Sequence, residues 1–178
     1  PPLLTDTPKS GYDQSKSLIA RWHGRGRQSF AITPRFAITS TPEQLEAAGA
    51  LAREHPECFV QTHLDENHRE IEWVKALFPD SQDYAHVYER HGLLGPRSLL
   101  GHCIHLTDRE RERLSEANAV AVFCPTSNLF LGSGSYQLAR SREAPHPFRT
   151  ALATDVGGGT SFSMLVTMRE AYKALMMH

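Results

Sequence analysis

The sequence lacks the features that define several large classes of protein. No apolar run approaches the ~18 residues that a membrane span requires, and no signal peptide opens the chain, so we expect no membrane association. Lysine and arginine (19) do not exceed aspartate and glutamate (20), which argues against nucleic acid as a partner. The 3 cysteines are odd in number, form no C-x-x-C pair and lie in apolar stretches. They predict buried thiols in a reducing compartment, and hence a cytoplasmic protein.

The remaining composition is that of an ordinary globular domain with an excess of histidine. The chain has 178 residues, of which 40% are hydrophobic and 22% charged, and this length suits one domain. The 10 histidines outnumber cysteine and methionine combined, and histidine is the usual metal ligand and proton carrier. The chain begins without methionine, and a helical pattern from Met164 continues to its end without a stop signal. We therefore expect a piece of a longer protein.

Short apolar stretches alternate with helical patterns about five times along the chain, which predicts an α/β fold with a parallel sheet. Both a doubly wound sheet and a segment of a (β/α)8 barrel fit this alternation. A complete barrel needs at least ~200 residues, so a barrel would be present only in part. The strands are continuous apolar runs, which predicts that both faces of the sheet are covered. The predicted strands are residues 30–32, 58–62, 98–101, 119–124 and 150–154.

Local signals predict where the helices begin and end. Ser40 with Glu43, and Thr107 with Glu110, have the spacing of capping boxes. Residues 125–128 predict a rigid turn, whose amides either face the site or merely hold the loop, and residues 138–143 predict a short helix. The glycines of 157–159 lack the spacing of a phosphate-binding loop and favour close backbone packing instead.

Three of the strands end in the same way, with a residue of metal-ligand type before a polar loop. These residues are His63, His102 and Asp155. The carboxyl ends of parallel barrel strands converge on one face, and two imidazoles with a carboxylate suit a divalent metal such as zinc or iron. Glu66 follows His63 by three residues, where a carboxylate is suited to act as general base on a water. Each residue alone has a structural explanation, a satisfied strand-end histidine or a helix-start glutamate, so the metal hypothesis depends on the recurrence.

Five short motifs in fixed order resemble the guanine deaminase family of the amidohydrolase superfamily. They are Thr33-Pro34-Arg35-Phe36, Gln61-Thr62-His63-Leu64-Asp65-Glu66-Asn67, Gly101-His102-Cys103, Cys124-Pro125-Thr126-Ser127-Asn128-Leu129 and Thr154-Asp155-Val156-Gly157-Gly158-Gly159. The resemblance implies barrel strands four to eight and one divalent metal, usually zinc with iron as the alternative. It also implies hydrolytic removal of the 2-amino group of guanine to give xanthine and ammonia.

The same resemblance implies a role for each matching residue. His63 and Asp155 correspond to metal ligands on strands five and eight, and Glu66 corresponds to the proton shuttle. His102 corresponds to the strand-six histidine that polarises the site and hydrogen-bonds the substrate, so that Glu66, His102 and Asp155 form the predicted catalytic set. Arg35 and Phe36 correspond to the pair that holds the guanine base, and His63, Glu66, His102 and Asp155 complete the substrate pocket.

One departure from the family pattern is a missing His-x-His pair, which in the family supplies two further metal ligands from the first strand. We therefore expect residues 1–178 to form a single partial barrel domain, without the first strands and the small β-sandwich domain. We expect the intact enzyme to be a homodimer with guanine as its small-molecule partner. Two alternatives stay open: a related aminohydrolase for another purine, a pterin or a triazine, and a non-catalytic α/β scaffold. A phosphate-binding module has the least support, because no basic cluster accompanies the glycines.

Overall fold

Five parallel strands and the helices that connect them make up the computed structural model, which describes residues 5–177. The strands are β1 (Ala31–Ile32), β2 (Phe59–Leu64), β3 (Ser98–His102), β4 (Val120–Phe123) and β5 (Arg149–Leu152). The helices are α1 (Pro8–Trp22), α2 (Pro42–Glu54), α3 (His68–Leu77), α4 (Tyr84–Arg90), α5 (Asp108–Glu116), α6 (Pro125–Leu131) and α7 (Met164–Leu175). The predicted α/β alternation is therefore confirmed. Within this part of the chain, no helix has the length and apolar content to cross a bilayer.

The order of the strands distinguishes a barrel segment from a doubly wound sheet. The strands lie side by side in the order in which they occur in the chain, and every neighbouring pair is parallel. A doubly wound sheet reverses its strand order at a switch point, and no such reversal occurs among these strands. Successive right-handed crossovers in one direction place the connecting helices on the same face of the sheet, as in a (β/α)8 barrel.

Burial alternates along β2, β3 and β4, whereas the first three residues of β5 are exposed. Within residues 5–177 only one face of the sheet is fully covered, unlike the expectation of two covered faces. In β2, Val60, Thr62 and Leu64 are buried, whereas Gln61 is exposed and His63 is half-buried. The buried set faces the helices, where Leu45, Tyr88 and other large side chains complete the core. The other set faces the side that would be the barrel interior, and in β2 it carries His63 at the carboxyl end.

Helix starts follow the local chemistry of the chain, with one prediction confirmed and one wrong. Thr107 caps α5 in a reciprocal capping box with Glu110, as predicted. The box before α2 is formed instead by Thr41 and Gln44, and Ser40 lies outside the helix. This shift places Pro42 at the first helical position, where its missing amide hydrogen costs nothing.

Three further predictions are corrected near the carboxyl end. Residues 125–128 are the first turn of α6 and not a loop turn, because Pro125 sits at a position that favours helix initiation. Residues 138–143 contribute only a 3-10 turn over Arg140–Arg142. Helix α7 ends at Leu175, where the Met176 amide bonds to carbonyls of the preceding turn, although the apolar spacing continues beyond it.

Candidate active site

His63 lies near the carboxyl end of β2, with its ring held by a backbone carbonyl. Its Nδ1–H donates to the Arg35 carbonyl at 2.7 Å, and its backbone amide donates to the same oxygen at 3.2 Å. This arrangement leaves Nε2 as the ring nitrogen with a free lone pair. A metal-bound histidine is oriented in the same way, through its other nitrogen. The ring therefore has the orientation that the predicted ligand role requires.

His102 is the last residue of β3 and is almost fully buried, with 2% of its surface exposed. Its backbone has φ +72°, a left-handed conformation that is strained for a residue with a Cβ and that ends the strand. The Asn128 side-chain amide donates to His102 Nδ1 at 3.0 Å, which leaves the ring proton on Nε2. Burial lowers the pKa of His102, and the nearby Glu66 and Asp155 charges oppose this effect only in part. The ring is consequently a neutral donor at neutral pH.

Glu66 lies in the loop between β2 and α3, next to His102, whose ring in turn lies beside that of His63. Its Oε2 is 3.7 Å from His102 Nε2, and the rings of His63 and His102 are 5.1 Å apart between centroids. Its Oε1 accepts a hydrogen bond of 3.0 Å from the Ser133 hydroxyl. The two oxygens of this carboxylate thus have different surroundings.

Asp155 follows β5 at the same end of the sheet as His63 and His102. Its φ of +46° is again left-handed, and its charge acts on both His102 and Cys124. Two of the three glycines after it pack tightly, as predicted, whereas Gly157 has φ +114° and open space where a Cβ would lie. A Cβ on Gly159 would come within 1.9 Å of the Thr154 carbonyl. A Cβ on Gly158 would lie 3.0 Å from an Asp155 carboxylate oxygen. Side chains larger than hydrogen are excluded there, which keeps the turn close against Asp155.

Arg35 and Phe36 lie on the segment after β1, beside the His63 ring. The Phe36 ring is 5.0 Å from the His63 ring between centroids, and the Arg35 guanidinium lies 4.6 Å from the Phe36 centroid. Burial raises the pKa of Tyr88, whose hydroxyl connects this segment to β2. That hydroxyl accepts from the Ala37 amide at 3.1 Å and donates to the His63 carbonyl at 2.8 Å. An aromatic face and a cation therefore stand at the mouth of the candidate site.

The residues present fit part of a metal centre. His63 offers Nε2 and Asp155 offers a carboxylate, whereas catalytic zinc usually has three protein ligands. Within residues 5–177, only His23, Glu57 and Cys58 form a group of three ligand-type side chains with ligand atoms within 4.8 Å of one another. That group lies before the amino end of β2, opposite to His63, and His23 Nδ1 already accepts from the Phe30 amide at 3.1 Å. It is therefore separate from the predicted site.

Three residues that contact the site were not predicted. Asn128 was assigned to a turn and to one of the family motifs but was given no role of its own, and Ser133 and Tyr88 carried no signal in the sequence. Each contacts a site residue that is distant in the chain, so no local pattern reveals the pairing. The glycines on both sides of Ser133 were the one available hint of a constrained turn.

Comparison with known proteins gives consistent matches over nearly the whole chain. Residues 6–177 match the sequence profile of the Amidohydrolase family. The curated guanine deaminase of Escherichia coli (strain K12) is 50% identical over 175 residues, which cover 98% of this chain and 39% of that protein. The chain thus spans about two fifths of the length of this curated relative.

Two solved structures have the same fold. The E. coli guanine deaminase structure superimposes with a TM-score of 0.96 at 49% identity, covering 99% of this chain and 41% of the other. The guanine deaminase from C. acetobutylicum, with guanine bound in its active site, has a TM-score of 0.91 at 30% identity. This match covers 98% of the present chain and 41% of the C. acetobutylicum chain. These matches extend over all five strands.

Proposed function

This chain belongs to the amidohydrolase family, and we propose that the intact protein containing it hydrolyses guanine to xanthine and ammonia. The observation that carries the proposal is the grouping of Glu66, His63 and His102 at the carboxyl end of a parallel sheet, with Arg35 and Phe36 beside them. The similarity to guanine deaminases supports guanine over a pterin, a triazine or another purine. The same similarity to curated enzymes disfavours a non-catalytic scaffold.

His63 and Asp155 are the residues of this chain that would hold a divalent metal, with zinc as the proposed ion and iron as the alternative. A bound zinc ion supplies Lewis-acid chemistry that makes water a nucleophile at neutral pH. The further ligands would come from a His-x-His pair elsewhere in the intact protein. The hydrogen bond from His63 Nδ1 to the Arg35 carbonyl supports this assignment, because it presents Nε2 for ligation.

Glu66 and His102 would handle the protons of the reaction. Glu66 takes one proton from the attacking water and delivers it to the purine ring nitrogen beside C2 while the water oxygen bonds to C2. The second proton of the water then passes to the 2-amino group, which leaves as ammonia as the C2–N bond breaks and the C2=O bond of xanthine forms. His102, neutral with its proton on Nε2, donates a hydrogen bond to the substrate in the site. Both groups lie in a largely buried environment, where such interactions are stronger than in water.

Arg35 and Phe36 would select the base. The Phe36 ring offers a face for stacking, and the guanidinium offers only donors, which suit the 6-oxo oxygen of guanine. Adenine presents an amino group at that position, which cannot accept from Arg35. A site built around such a hydrogen bond discriminates against an analogue that leaves the donor without an acceptor.

The wider organisation of the intact protein is part of the same proposal. The order of the motifs in the family resemblance implies that the described strands would be strands four to eight of a barrel. Within residues 5–177, β1 and β5 each pair on one side only, which leaves both edges open to further strands. The first strands and a small β-sandwich domain would come from other residues of the intact protein. The three cysteines are free and buried, which supports a cytoplasmic location, and we propose a homodimer.

The proposal is tested by purifying the intact protein with its metal and assaying xanthine formation from guanine. A panel of adenine, a pterin and a triazine is run beside it, with metal content measured before and after chelation. We expect guanine to be preferred and activity to be lost with the metal. Preference for another substrate would overturn the assignment to guanine, and full stability without metal or turnover would favour the scaffold.

A further inference from the structure

We propose that Ser133 is a positioning residue that makes the two oxygens of Glu66 unequal, so that Oε1 is held and Oε2 carries the proton. This inference rests on the proposed function, because it concerns the proton shuttle of that reaction. Ser133 lies after α6, far along the chain from Glu66, and neither the motifs nor the family resemblance assigned it a role.

The inference begins with the surroundings of the Glu66 carboxylate. Oε1 accepts from the Ser133 hydroxyl at 3.0 Å, whereas Oε2 faces His102 Nε2 at 3.7 Å. Oε2 is therefore the oxygen directed toward the buried His102 ring. Ser133 is buried, so water does not readily replace its hydroxyl as a donor.

The backbone of Ser133 is held on both sides, which fixes the direction of its hydroxyl. Its amide donates to the Asn128 carbonyl at 2.9 Å, and its carbonyl accepts from His105 Nε2–H at 2.8 Å. Burial lowers the pKa of His105, so the ring stays a neutral donor near neutral pH. The hydroxyl is thus directed from a turn that is anchored to both α6 and the loop after β3.

The two neighbouring glycines make this turn possible. Gly132 has φ +72° and ends α6, and Gly134 has φ +126°. A Cβ on Gly134 would meet Ile104 Cγ2 at 2.9 Å, so a larger residue would displace the turn. Glycine adopts these positive φ values readily, whereas a residue with a Cβ at either position would be strained.

The function of the contact follows from what a proton shuttle must do. A proton shuttle takes a proton from one group and gives it to another. The same carboxylate oxygen does both most efficiently when it is held in one orientation from which it reaches both groups. A hydroxyl on Oε1 restricts rotation of the carboxylate and reserves Oε2 for the transfer. Without it, substrate would still bind, but the carboxylate would spend less time in the productive orientation.

The experiment is a double-mutant cycle in the intact, metal-loaded protein with Ser133→Ala, Glu66→Gln and the combined variant. Loss of a hydrogen bond to a charged group predicts that Ser133→Ala lowers kcat roughly tenfold. KM should stay within about twofold, because the contact is with the shuttle and not with the base. In the Glu66→Gln background, Ser133→Ala should have little further effect, since the group through which it acts is already disabled.

Ser141→Ala is the matched control, because Ser141 is also buried but donates to the Leu138 carbonyl and touches no candidate site residue. It should leave kcat unchanged. If Ser133→Ala lowers the folded fraction in thermal unfolding, Ser133→Cys, which keeps nearly the same volume with a weaker donor, goes through the same cycle. An unchanged kcat, or equal losses in the presence and absence of the Glu66 carboxylate, overturns the role of Ser133.

The failure of this inference is distinguishable from the failure of the proposed function. The cycle is measured on whichever aminopurine the wild-type protein deaminates. Turnover of another aminopurine in place of guanine overturns the proposed substrate, while the cycle still decides the role of Ser133. A wild-type protein that deaminates nothing overturns both.

Discussion

Replacement of Tyr88 by phenylalanine tests how the segment with Arg35 and Phe36, after β1, is held next to the candidate metal ligand His63. The Tyr88 side chain is fully buried on α4, and its hydroxyl is the only atom that this change removes. That hydroxyl bonds to the Ala37 amide, the His63 carbonyl and the Thr62 hydroxyl, at 3.1, 2.8 and 3.0 Å. The substitution therefore removes one link between the β1 segment and β2, without creating a large cavity, while the hydrogen bonds from His63 to the Arg35 carbonyl remain.

The size of the effect follows from the groups that lose their partner. Ala37 is fully buried, so its amide hydrogen would have no replacement acceptor. The His63 carbonyl also loses a donor, whereas the Thr62 hydroxyl keeps the Arg35 carbonyl at 3.3 Å. A buried polar group without a partner costs ~1–3 kcal/mol, so we expect a total loss of about 2–4 kcal/mol in the free energy of unfolding.

The assay is urea unfolding of the intact protein at fixed zinc, with guanine kinetics measured on the folded variant. Tyr12→Phe is the control, because its hydroxyl bonds Glu54 and Lys16 at the surface and should contribute no more than ~1 kcal/mol. KM for guanine should rise in Tyr88→Phe, since Arg35 and Phe36 directly precede Ala37. A loss of stability equal to that of Tyr12→Phe would refute the reasoning.

Four further predictions concern the chemistry of the site and the state of the chain. Glu66→Gln should keep the metal but lose roughly 10²–10⁴-fold in turnover, since an amide cannot take a proton from water, and activity close to that of the parent would remove Glu66 from the mechanism. His63→Ala should lower the zinc content as well as the turnover, which distinguishes a metal ligand from a base. Arg35→Ala should reduce guanine turnover and narrow the preference over adenine, measured as a ratio of kcat/KM; an unchanged ratio would place selectivity elsewhere. Burial raises the pKa of Cys124 to about 12, so the native protein at pH 8 should not be alkylated there by iodoacetamide, and rapid labelling mapped by mass spectrometry would contradict this. Residues 1–178 expressed alone should bind zinc weakly and form no xanthine, because they supply only two of the metal ligands, and they should be poorly soluble, because the partial sheet has open strand edges. Measurable xanthine would show that a residue such as His105 completes the metal site.

Features that depend on neighbouring residues in the chain were predictable from the sequence. The alternation of apolar and helical stretches determined the α/β class, because the spacing of apolar residues within each element follows the face that the element buries. The Thr107 capping box and the glycine packing after Asp155 were predicted for the same reason. The positions of His63 and His102 at the carboxyl ends of β2 and β3 also followed from local pattern, whereas β5 ends at Leu152 and Asp155 lies in the segment after it. Their roles rest on the motif resemblance and remain predictions.

Local pattern failed where one composition suits two structures. Residues 125–128 have the composition of a turn, but a proline at the first position also suits a helix, and the tertiary contacts of Asn128 with His102 favour α6. The continuous apolar strands predicted two covered faces, although one face of β2 carries the site and is only partly covered. Apolar content alone does not distinguish a barrel interior from a second helical layer.

Strand order and the support of the site were decided by tertiary structure alone. The order β1 to β5 separates a barrel from a doubly wound sheet, and both are compatible with the same alternation of elements. Ser133 reaches Glu66, and Tyr88 reaches Ala37, across long separations in the chain that only the packing of helices on the sheet closes. A hydrogen bond between distant residues has no periodicity of its own, so the sequence determined which residues end the strands, and the fold determined which side chains hold them.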